Sequence, residues 1–131
     1  MSNRGSSSAS VFRAFGYFGD QGSDGNRWQC YNVSSRSHSV PLFNNGNQRV
    51  NGRSVFTTFE THDSRTRCIL DLSGAYAAGN LVSAKRGAVF NHAGQTLLLQ
   101  DEYVVDGPLS ASWTMSTDAR IQLADGGRTA L

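Results

Sequence analysis

Lysine occurs once in this chain of 131 residues, at Lys85, and the other basic residues are all arginine. The basic side chains are scattered, with none of the runs of about five or six like charges that mark a nucleic-acid arm. The formal net charge is only +2, so neither nucleic acid nor an anionic membrane surface is expected as a partner. No apolar stretch approaches the ~20 residues that span a bilayer. The first ten residues, MSNRGSSSAS, hold no apolar core of a secretory signal. They read as a disordered polar lead-in. Apolar residues nowhere recur at i, i+3, i+4 and i+7 long enough for a substantial helix. Cysteine is limited to Cys30 and Cys68. Neither forms a zinc-ribbon pair, and both a disulfide and two buried free thiols stay open. Histidine is limited to His38, His62 and His92. Nucleophile elbow, phosphate loop and dinucleotide fingerprint are all missing.

What remains is a series of short strand-like runs between turn residues. They are Val11 to Gly19, Ser39 to Phe43, Ser54 to Thr61, Arg67 to Leu72, Lys85 to Phe90, Thr96 to Val105, Ser112 to Thr117, and Ala119 to Leu131. Pro41 confines its run to an edge or a strand entrance. Cys68, Leu70 and Leu72 share one face by alternation. Lys85–Phe90 and Thr96–Val105 flank the turn Asn91 to Gln95, whose length and Gly94 suit a hairpin. The triple leucine at 97–99 predicts a strand buried on both faces and central in its sheet. Ala119, Ile121 and Leu123 predict a half-buried strand, followed by a turn at Ala124 to Arg128. About seven to nine such strands in one unit, residues 11–131, predict an all-β antiparallel β-sandwich.

Candidate chemistry is sparse. His92 falls in the hairpin turn and His62 at a strand end, where both read as solvated. Asp101 and Glu102 are adjacent on a strand, so they face opposite sides and make a poor acid/base pair. Asn32-Val33-Ser34 has the form of a glycosylation sequon, a match too short to carry weight. No catalytic set emerges from these residues.

Four segments in order carry a resemblance. They are FGDQGSDGNRWQCYNVSSRSHSVPLFNNGNQ, CILDLSGAY, RGAVFNHAGQTLLLQDEY and WTMSTDARIQL. Together they resemble the C-terminal β-sandwich region of heparinase II/III-like polysaccharide lyases, a supersandwich-like fold, over residues 11 to 131. The resemblance implies β-elimination on an anionic, uronate-containing polysaccharide. A base removes the C5 proton beside the carboxylate while the site stabilises the developing enolate. It also implies a bacterial protein in the periplasm or secreted. The family's base and its helpers come largely from an N-terminal α-helical toroid and a His-x-His stretch, and this sequence holds neither. The chain therefore looks like the tail of a larger enzyme, inactive without that helical domain. By the same resemblance Asp20 and His38 are zinc ligands. The alternative keeps Asp20 as a turn cap and His38 as a hydrogen-bonding partner of a strand end. Asp71, Ala75 and Tyr76 fix a strand exit with Tyr76 over the core. Arg86 and Asp101 pair across the hairpin as a weak surface pair, and Trp113 packs in the core. A non-catalytic carbohydrate-binding sandwich and a ligand-free structural domain are the competing readings.

Overall fold

The computed structural model describes residues 25–115 and 117–130. The lead-in, the aromatic run at Val11 to Gly19 and Asp20 lie outside the described residues. The described residues form eight strands, β1 (Pro41–Phe43), β2 (Val55–Thr61), β3 (Arg65–Asp71), β4 (Leu81–Asn91), β5 (Thr96–Val105), β6 (Ala111–Trp113), β7 (Leu123–Ala124) and β8 (Thr129–Ala130). The only helical elements among the described residues are short 3-10 turns. The fold is all-β, antiparallel and sandwich-like, as the alternating sequence pattern predicts. Among the described residues no helix is long and apolar enough to cross a membrane.

A four-stranded antiparallel sheet in the order β2-β3-β4-β5 forms the main layer. The β4–β5 hairpin has the turn the sequence predicts, with Asn91 paired to Thr96. Asn91 Oδ1 accepts from the Ala93 and Gly94 amides, so the side chain closes the loop. Cross-strand register sets the inner face in rows: Ala84 with Tyr103, then Phe56, Leu70, Arg86 and Asp101, then Phe59, Cys68, Ala88 and Leu99, then Thr61, Thr66, Phe90 and Leu97. A bulge between Phe56 and Thr58 lets both phenylalanines share that face, where their rings meet edge to face at 6.2 Å.

The two-stranded ribbon β1–β6 covers only one end of this face. Pro41 opens β1, consistent with its lost N–H donor. The core gathers Phe43, Leu72, Ala75, Tyr76 and Ala84, all buried, with Leu70, Leu81 and Tyr103 packed against them. Phe43 stands edge-on to Tyr76 at 4.8 Å and to Tyr103 at 4.9 Å, the geometry that aromatic quadrupoles favour. Asn44 and Asn45 follow β1 at φ 50° and 58°, a left-handed conformation asparagine tolerates. Asn44 then ties the turn to the start of β6, donating from its amide to Ser110 O and accepting at Oδ1 from Ser110 N.

Four expectations need correction. β5 lies at the sheet edge among the described residues, and Leu97, Leu98 and Leu99 are 58%, 62% and 41% exposed. Apolarity on both faces predicts a central position, but no described strand flanks the second side. The stretch before β7 forms no extended strand: Ile121 is 58% and Leu123 74% exposed. Among the described residues β7 pairs only with the two-residue β8, across a turn at Asp125–Gly127. Cys30 and Cys68 are free but half-buried rather than buried. Trp113 does not enter the core, since β6 is too short and peripheral to cover it.

Candidate functional site

Three consecutive 3-10 turns, Asn26–Gln29, Tyr31–Val33 and Ser35–Ser37, run into His38 and β1. The loop after β1 folds back over them. Asn47 Oδ1 accepts from the Ser35 amide at 3.0 Å, and the Gln48 amide donates to Ser35 Oγ at 2.9 Å. This reciprocal bracket spans 12 or 13 residues of sequence and opens a cleft of about 250 Å³ lined by Trp28, His38, Asn47, Gln48 and Arg49.

The loop is anchored from below. The Arg49 amide donates to Ala75 O at 2.8 Å and the Arg53 amide to Gly74 O at 3.2 Å. The backbones are so close that a Cβ on Gly74 would lie 2.7 Å from Arg53 O, and one on Gly52 2.8 Å from Ala75 Cα. Only glycine fits at these crossings. Asp71 Oδ1 accepts from the Ser73 amide at 2.9 Å and fixes the strand exit, the role the sequence gives it.

Tyr76 is 6% exposed and joins the core to the cleft. Its hydroxyl donates to Pro41 O at 2.8 Å and accepts from Gln48 Nε2 at 3.2 Å. Burial pushes its pKa up to about 12, with the Gln48 hydrogen bond opposing. The Gln48 carboxamide is therefore held by the core and not by solvent.

His38 is exposed at the cleft rim, with Nδ1 3.0 Å from Ser34 O and 3.0 Å from Ser37 Oγ. A carbonyl only accepts, so we assign the proton to Nδ1 and the lone pair to Nε2. A backbone-held Nδ1 is the usual support of a histidine that works through Nε2. Asp20 lies outside the described residues. Among the described residues no three His, Cys, Asp or Glu side chains gather closely enough to hold a metal.

Arg86 and Asp101 lie beneath the segment that carries His38. Arg86 Nε and Nη2 donate to the two Asp101 carboxylate oxygens at 2.6 and 2.7 Å, and Nη1 donates to Ser39 O at 2.6 Å. The pairing is as the sequence predicts, but this is no surface pair: the side chains are only 14% and 19% exposed. Burial opposes ionisation of Asp101, yet hydrogen bonds from Arg86 and Tyr103 outweigh it and hold the pKa below the ordinary 3.8. Burial, then the bond to Asp101, raises the Tyr103 pKa.

The other histidines lie outside the cleft. His62 is exposed at a strand end. His92 is half-buried, its Nδ1 2.9 Å from Asp63 O and its Nε2 3.0 Å from Thr66 Oγ1. It ties the two hairpin turns together, more than the solvated role its turn position predicts.

Sequence reasoning singled out His38 but not Arg49 or Trp28 as its neighbours. Only the asparagine-rich turn hinted at them, since its reversal folds the polar residues after β1 back over the segment before it. No family model matches the chain, and no curated protein matches it.

Proposed function

We propose that this chain is the β-sandwich module of a polysaccharide lyase that cleaves uronate polymers by β-elimination, and that it binds the polymer while a helical domain outside this sequence supplies the base. The observation that supports this most is the cleft, which Trp28, His38, Asn47, Gln48 and Arg49 line together. Arg49 offers a fork to a uronate carboxylate. Trp28 offers an aromatic body to a sugar ring. Gln48 Oε1 and the second hydrogen of Asn47 Nδ2, the amide groups not engaged by Tyr76 and Ser35, offer hydrogen bonds to hydroxyls. Charge neutralisation at the carboxylate is what makes the C5 proton removable. His38 Nε2 is suited to a zinc ion, with Asp20 and ligands from beyond this chain completing about four donors. By the same resemblance the protein acts in the periplasm or outside the cell.

The test is to incubate the chain with alginate, hyaluronan and heparin and follow the ultraviolet absorbance of unsaturated uronate. The isolated chain retards uronate polymers in affinity electrophoresis and yields no unsaturated product; adding a helical domain restores it. Product from the isolated chain would place the base here and overturn the division of labour. The same cleft also suits a second reading, a carbohydrate-binding module with no catalytic partner. Retardation without product under every addition selects that reading.

A further inference from the structure

We propose that a second copy of this chain pairs antiparallel with the edge of β5 that no described strand occupies, joining two four-stranded sheets into one. The contradiction within β5 points there. Its sequence is that of a central strand, apolar on both faces, while among the described residues it lies at an edge with Leu97, Leu98 and Leu99 exposed. A strand added at that edge gives β5 a hydrogen-bonded neighbour on both sides, the position its sequence predicts.

The edge is self-complementary. Thr96 to Gln100 carries no charge, no proline and no lysine, the usual guards of an unpaired edge. The two acids that follow are answered within the sheet. Asp101 is held by Arg86, and Glu102 lies directly across from Lys85. A two-fold axis through Leu98 sets each Leu98 opposite its counterpart and Leu97 opposite Leu99. It sets Thr96 opposite Gln100 and leaves both acids beyond the ladder. The axis runs perpendicular to the sheet, so the two inner faces fall on one side. Leu97, Leu99 and Phe90, exposed in the single chain, then form one surface with those of the second copy. This extends the existing β4–β5 ladder by the same hydrogen-bonding rule, and it does not rest on the lyase reading.

The test is sedimentation of the full chain across micromolar concentrations, with Leu98→Lys and Leu98→Glu. Leu98 is 62% exposed, and far-ultraviolet circular dichroism checks that each variant folds. The chain forms a dimer, and each variant self-associates at least about tenfold more weakly, some 1.4 kcal/mol. An equimolar mixture of the two variants recovers a dimer, since lysine and glutamate then face each other at the axis. A monomeric wild-type chain overturns the proposal, including one whose β5 amides resist hydrogen exchange because the edge is covered from within. Variants that dimerise as tightly as wild type, or a mixture that fails to recover, overturn the register.

Discussion

The two ends of the inner sheet face are made by the same strands and differ in what lies over them. At one end Ala84, Leu70 and Tyr103 sit under Phe43 and Tyr76, and the layer is closed. At the other, Phe59 is 68% and Leu97 58% exposed, and the composition is if anything more apolar. Hydrophobicity alone does not say which half of a sheet is core. Here the covered half is selected by a three-residue strand and one tyrosine, brought over the sheet by Arg86, whose guanidinium reaches both Asp101 on β5 and Ser39 before β1. The candidate cleft lies at the closed end, where backbone crossings and buried polar bonds hold the loop that lines it.

Truncation should show the contrast most strongly. Phe43→Ala at the closed end removes about 3–5 kcal/mol of stability in denaturant unfolding. Phe59→Ala at the open end stays within about 0.5 kcal/mol. Equal losses would mean the open end is covered in solution. The Arg86–Asp101 pair comes next. Arg86→Met strands a mostly buried carboxylate and a carbonyl, a loss of about 1–3 kcal/mol.

The pH dependence is smaller and has a definite sign at each limb. The Asp101 pKa is lowered in the fold from 3.8, so its contribution is present above that value and lost as pH falls through the folded pKa. Asp101→Asn should flatten this acid limb. The Tyr76 pKa is raised from 10.0 to about 12, so its contribution is present below pH 10 and lost as pH rises toward 12. Thermal melts of wild type and Tyr76→Phe across that range check it: the alkaline slope should shrink in the variant.

The strands of the main sheet, their hairpin turn and the Arg86–Asp101 pair were legible in the sequence because each rests on local alternation or direct cross-strand opposition. The exposure of Leu97 to Leu99 was not, since periodicity reports which residues are apolar and not whether a neighbour exists. Nor was the half-burial of His92, which depends on a turn 29 residues away. The cleft was half legible. His38 stands out as a rare residue, while Arg49 is one arginine among many until the loop brackets with Ser35 bring it to the cleft that His38 also lines.

The measurement closest to the central claim is calorimetric titration of the chain and of Arg49→Ala with an oligouronate and with its carboxyl-reduced, neutral counterpart. Wild type should prefer the uronate, and Arg49→Ala should lose about tenfold in uronate affinity, some 1.4 kcal/mol, with its stability unchanged. Equal affinity for charged and neutral oligosaccharides, or an Arg49→Ala variant that binds the uronate as wild type does, would contradict that claim.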